Sequence, residues 1–283
     1  MTQGARLFAP DGAILRRHRD VLPNGARRAA TRLGALILVI GTVAFAVWWL
    51  DLGADQLGTG LRQLGKFVAL MFPPATGGHL MLFLHAMGET LAIAFLGTLV
   101  AATLAFPVSF LAAENTAPSS IVRFLVRRGF DTIRGVDVLI WALVFVGVVG
   151  LGPFAGILAI AVSDSGAFGK LFSEAIEEAD RKPLEGVLAA GGSKVVAVRF
   201  ALIPQVLPVL VSQVLYFFES NVRSATIIGI VGAGGIGLQL SEQIRTYDFD
   251  QMSFVIIMIL VTVAAIDWMS ARLRHAVIGP ASG

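Results

Sequence analysis

The sequence predicts an all-α membrane protein of six transmembrane helices, and three observations carry that expectation. First, the 283 residues are 56% hydrophobic and only 14% charged, where soluble domains run at roughly 45–50% apolar and about 25% charged. Second, several stretches approach the ~20 apolar residues a spanning helix needs. Third, the basic residues fall in alternate loops, as the positive-inside rule requires. The same composition excludes intrinsic disorder, which needs low hydrophobicity and high charge. The absence of cysteine excludes a disulfide scaffold, thiolate nucleophiles and Cys-based zinc sites.

The first span is 33–50, uncharged and ending in Trp48 and Trp49, an aromatic pair suited to the lipid–water interface. No small-residue cleavage pattern follows it, so it reads as a retained helix and not as a signal peptide. The second span is 90–113. The run 138–162 is punctuated at Gly150, Gly152 and Pro153, which mark a turn. It therefore divides into a third span and a fourth, the fourth continuing past Asp164 to about Phe168. The fifth span is 204–218 and the sixth 254–269. Residues 227–240 are apolar but glycine-rich, and read as a broken or re-entrant element packed inside protein.

Of the 22 lysines and arginines, all but Arg62, Lys66, Arg223 and Arg245 fall on one side of this arrangement. That side is assigned to the cytoplasm, with both termini on it. The expected organisation is a basic cytoplasmic segment 1–32, the first span 33–50, an external loop 51–87, a core transmembrane domain 88–274 with an inner loop 174–204, and a cytoplasmic tail 275–283. The basic residues hold topology, so the pI of 9.7 calls for no nucleic-acid partner.

Three patterns suggest chemistry and fail. Gly60, Gly65 and Lys66 have P-loop spacing, but Phe67 stands where a magnesium-holding hydroxyl belongs. Gly232, Gly234 and Gly237 have dinucleotide-fingerprint spacing, yet the position 20 residues beyond Gly237 is Ile257, inside the sixth span. His85 and Glu89 share a helix face, which reads better as a helix-end hydrogen bond than as a metal site. No nucleophile elbow exists. Nothing assembles into an enzyme, and no cofactor is expected in this chain.

The inner loop 174–204 is the most informative stretch. A charged extension of the fourth span leads to Pro183. A short helix over 185–190 follows, with Val187 and Leu188 forming a small apolar knob and Gly191 and Gly192 providing a left-handed stop. The loop resembles that of permease subunits in binding-protein-dependent ABC importers, whose pattern is Glu-Ala-Ala, three residues, Gly, nine residues, Ile-x-Leu-Pro. Glu185, Gly191 and Pro204 keep that spacing. Gly186 and Val187 replace the two alanines, Ala201 the isoleucine and Ile203 the leucine.

The stretches 188–208 and 216–237, together with Asp267 and Trp268, resemble the phosphonate permease family, and the likeness extends over roughly 88–274. The resemblance implies a type I ABC importer bundle like that of methionine permeases, in a bacterial inner membrane. It implies that Glu185, Val187, Leu188, Gly191 and Pro204 couple to an ATPase. It also implies two ATPase subunits holding ATP and Mg, an external substrate-binding protein, and a second permease, identical or related. The solute would be a phosphonate, phosphite or phosphate. A permease of the same architecture for another solute such as methionine is the alternative. A secondary transporter is a further one, for which no internal repeat is visible.

Ionisable residues inside spans are costly and usually functional. Glu219, Asn221, Arg223 and Ser224 cluster where the fifth span is expected to meet the glycine-rich segment. A guanidinium can take an oxyanion by paired hydrogen bonds, and the backbone of Gly232, Gly234 and Gly235 can form an anion-binding concavity. These residues are expected to line the solute pathway. The competing expectation is an internal Glu219–Arg223 pair. Asp164 in the fourth span is expected either to pair with an arginine or to meet an ammonium group on the solute.

Overall fold

The computed structural model describes residues 25–50 and 53–278, all in helices, turns and connecting segments. The chain divides into two units at Lys66–Phe67. The first carries α1 (Gly25–Trp49), in whose membrane-length part Thr31–Trp49 no residue is buried. α2 (Ala54–Leu70) crosses the division and places a helix in the expected external loop.

The second unit is built on three long helices: α3 (Leu80–Ala112), α6 (Pro153–Glu178) and α9 (Ile203–Ile230). Small residues let their backbones approach closely, as packing within a membrane favours. Gly97 of α3 lies against Ile160 of α6, and Ala101 and Ala105 of α3 sit in a cluster with Phe168, Phe172, Leu202 and Leu210. Against this frame pack α4 (Ser120–Arg134), α5 (Val138–Val149), α10 (Ile236–Thr246) and α11 (Phe249–Ile278). Two short helices, α7 (Arg181–Ala189) and α8 (Lys194–Ala197), connect α6 to α9.

Among the described residues, five helices are long and apolar enough to cross a membrane, or six if the bent pair α4–α5 counts as one span. The expected third span corresponds to this bent pair and not to α5 alone. α5 has the expected bounds, but its 12 residues rise only about 18 Å, at ~1.5 Å each, against a core about 30 Å thick. It meets α4 at an angle of 83°.

The other spans are longer than expected. α3 begins ten residues before residue 90 and runs through Pro107. α6 continues past Phe168 to Glu178, and α11 extends the sixth span at both ends. The fifth span does not stop at Phe218, because α9 reaches Ile230 and leaves only residues 231–235 as the glycine-rich break. Polar residues read as a helix end are instead held inside the helix by partners on other helices, described below.

Candidate functional site

At the end of the bundle where α6 stops, the chain makes the expected short helix, with different bounds. α7 starts at Arg181, four residues before Glu185, because the Asp180 side chain accepts the Lys182 N–H at 3.0 Å. Pro183 is its third residue, where a missing N–H costs nothing. The helix ends as expected: Gly191 has φ +86°, and the Gly191 and Gly192 N–H groups donate to Leu188 and Val187 carbonyls at 3.0 Å each. No residue of α7 is buried; Glu185 and Leu188 are exposed and Val187 is half-buried.

Pro204 sits in the first turn of α9, directly after one wider π turn over Val198–Leu202. Proline within a continuous helix removes a donor and crowds the preceding turn, and a local widening relieves both. Gln205, which sequence reasoning missed, ties this turn to α7. Its side chain accepts the Asp180 N–H at 3.1 Å and donates to the Ala201 carbonyl at 2.7 Å. At the same end, Arg127 of α4 donates to both Glu177 carboxylate oxygens, at 2.7 and 2.8 Å, and to the Ala112 carbonyl at 3.0 Å. The helices flanking α7 are therefore pinned on both sides.

Halfway along the bundle, Asp164 and Asn221 are buried together. The Asn221 amide donates to the Thr98 hydroxyl at 2.8 Å and to the Asp164 carboxylate. Thr98 donates in turn to the Ala94 carbonyl at 2.7 Å. One residue from each of α3, α6 and α9 thus meets at a junction closed to solvent. Asp164 finds an amide there, where an arginine or an ammonium group of the solute had been expected.

A second polar group lies on the faces of α9 and α11. Arg223 pairs with Asp267 at 3.1 Å and more loosely with Glu219 at 3.8 Å, while Arg274 takes Glu219 at 2.8 Å. The Glu219–Arg223 pair considered from sequence is present, but as the weaker half of a four-residue chain. Asp267 and Arg274 were missed as partners; an isolated aspartate in an apolar run was their signal. The Arg223 and Asp267 side chains keep 44% and 43% exposure on this face, and Ser224 beside them is half-buried.

Residues 232–235 of the glycine-rich break are buried, with Val231 and Gly232 at the edge of a cavity of about 660 Å³. The Gly235 N–H donates to the Glu89 carboxylate at 3.1 Å and the Ile236 N–H to the Thr90 hydroxyl at 2.7 Å. The Gly232 carbonyl accepts the Gly152 N–H at 2.9 Å, and Gly234 lies against Pro153. The start of α10 thus holds a carboxylate of the protein itself, Glu89 of α3. Among the described residues, no group of three or more His, Asp or Glu side chains is placed to hold a metal.

α7 is thus a short, mostly exposed helix flanked by pinned spans at one end of a bundle of membrane-length helices, with Leu184 and Val187 half-buried and Leu184 packed against the core. Residues 105–278 match the family described as binding-protein-dependent transport system inner membrane component. The chain belongs to that family. It is a permease subunit of an ABC importer in the inner membrane and not an enzyme.

Among similar proteins is HtxC of Stutzerimonas stutzeri, whose name assigns it to phosphite transport. It is 40% identical over 91% of this permease and 92% of its own length. The phosphite transport system permease protein PtxC of the same organism is 34% identical over 86% and 88%. The phosphate-import permease protein PhnE of Mycolicibacterium smegmatis is 35% identical over 90% of this permease and 48% of its own chain. The permease fold matches the solved inward-facing MetNI methionine ABC transporter with a TM-score of 0.62 and 24% identity, covering 72% of this chain and 99% of that one.

Proposed function

We propose that this permease carries a phosphorus oxyanion (phosphite, phosphate or phosphonate) across the inner membrane, driven by ATP hydrolysis in partner subunits. The relatives named for phosphite and phosphate transport, matched over most of this chain, support the solute class. In this reading α7 docks on an ATPase subunit through Val187 and Leu188, with Glu185, Gly191 and Pro204 shaping it. One such helix per chain and two ATPases per importer call for a second permease. ATP and Mg belong to the ATPases, and an external binding protein delivers the solute.

The pathway reading rests on one observation. Arg223 and Asp267 sit inside membrane-length helices and are more than two-fifths exposed. Half-exposed charges are not tolerated against hydrocarbon. This face of α9 and α11 must therefore meet water or a partner subunit. Arg223 is the group that takes the oxyanion, with Asp267 and Glu219 holding it in place between passages. Gly232, Gly234, Gly235 and the Asp164–Asn221 junction act behind this face as its support.

The test is uptake into proteoliposomes holding the permease, its ATPase and its binding protein. ATP-dependent uptake of labelled phosphite, phosphate or methylphosphonate is expected, without competition from methionine. Carriage of methionine, with no phosphorus oxyanion competing, would overturn the assignment.

A further inference from the structure

We infer that α4 and α6 form a binding site for an anionic phosphate group at the cytoplasmic lipid boundary. α4 is strongly amphipathic and turns away from α5 by 83°. Its residues Ile121, Phe124 and Leu125 share one face and are 73%, 61% and 62% exposed. An amphipathic helix with exposed apolar residues beside arginines is built to lie in the plane of the interface. Phe130 anchors it from the other side, filling the space left by Gly169 of α6.

Beside that anchor lies a cavity of about 90 Å³ lined by Arg127, Arg128, Phe130, Asp131 and Lys170. Three of its five residues are cations and one is an anion. Two of the three cations, Arg128 and Lys170, are only partly satisfied by protein. Arg127 is committed to Glu177, and Arg128 pairs with Asp131 at 2.9 Å while 63% exposed. Lys170 is 3.9 Å from Glu174, too far for a hydrogen bond. The Arg128 guanidinium also stands 5.7 Å from the centre of the Phe124 ring, which joins the cationic cavity to the apolar stripe. Basic pockets between membrane helices on the cytoplasmic side take phosphate headgroups. The adjoining stripe adds a surface for acyl chains. A phospholipid headgroup and a free cytoplasmic oxyanion share the chemistry the cavity recognises, and the apolar stripe favours the lipid.

The cytoplasmic placement rests on the importer reading above, but the test needs no transport. The full chain is purified in detergent and probed with phosphatidylglycerol, phosphatidylcholine and inorganic phosphate. By native mass spectrometry the chain is expected to retain phosphatidylglycerol over phosphatidylcholine by roughly tenfold, at about fivefold or less per cation. R128Q/K170Q is expected to lose that preference. Neither residue belongs to the coupling helix or to the proposed pathway. A photoactivatable phosphatidylglycerol is expected to label α4 in the unaltered chain, a readout that stands even if the variant does not fold. Displacement of the lipid by millimolar phosphate, with phosphate binding in its place, assigns the cavity to a free oxyanion; lipid retention unmoved by phosphate assigns it to the headgroup. Equal retention of both lipids without phosphate binding, unchanged preference in a folded R128Q/K170Q, or labelling elsewhere than α4 and α6 overturns the proposal.

Discussion

The two ends of α9 are held in opposite ways. At its start, Gln205 and the short helix α7 are joined by contacts between residues at most 25 positions apart, and nothing in α7 is buried. In its C-terminal half, Asn221 reaches a partner 123 positions away, and Arg223 and Glu219 reach partners 44 and 55 positions away. The first region is a local structure whose surface stays open, as the proposed docking role requires. The second is a polar assembly that exists only because α3, α6, α9 and α11, from distant parts of the chain, converge. Docking surfaces can be encoded locally because the partner supplies the missing burial. Charges inside a membrane cannot, because each needs a counterpart brought by the fold.

The sharpest way to break this comparison is Leu188→Asp. If α7 docks through its apolar knob, placing a charge there removes a central contact worth about 2 kcal/mol or more. Solute uptake should fall by roughly 30-fold, with membrane insertion and thermal stability of the isolated chain unchanged. A stability loss instead would mean that α7 packs on its own bundle.

Asn221→Ala probes the other region and should behave in the opposite way. It strips Asp164 of its amide donor in a closed junction, at a cost of about 2 kcal/mol. The purified chain should melt several degrees lower, even without any ATPase present.

Arg223→Ala separates pathway from scaffold within the charged group. A contact with the solute predicts roughly tenfold lower uptake, at a charge-assisted bond worth about 1.5 kcal/mol, with a raised half-saturation concentration. An unchanged half-saturation together with reduced stability would leave Arg223 a purely structural partner of Asp267.

The smallest effect belongs to Asp180→Ala. Loss of the cap should cost about 1 kcal/mol in the first turn of α7. Uptake should drop only a few-fold, and Asp180→Asn or Asp180→Ser should restore it.

Legibility followed the range of the interactions. The bounds of α5 were readable because Asp137 caps its start and Gly150 ends it, both within one turn of the helix. The stop of α7 was readable from Gly191 and Gly192. Its start was missed because Pro183 looked like a beginning, whereas Asp180 three residues earlier supplies the cap. The fifth span was cut short at Phe218 because Glu219, Asn221 and Arg223 look like an exit from the membrane. They stay inside α9 because Arg274, Thr98, Asp164 and Asp267 receive them. Likewise, the glycine run suggested an open anion cradle, and the anion in it is Glu89 from α3.

From the sequence alone it follows that this chain is a helical membrane protein, roughly which stretches form its membrane helices, and that a short helix stands in the loop between α6 and α9. Apolar length, charge alternation and helix-end residues act within a few turns of the chain, so each can be read in order. The tertiary structure alone decided which polar residues are spent on one another and which remain open. Pairing is a matter of which helices lie side by side, and in a low-dielectric interior that choice determines whether a charge serves the scaffold or the solute.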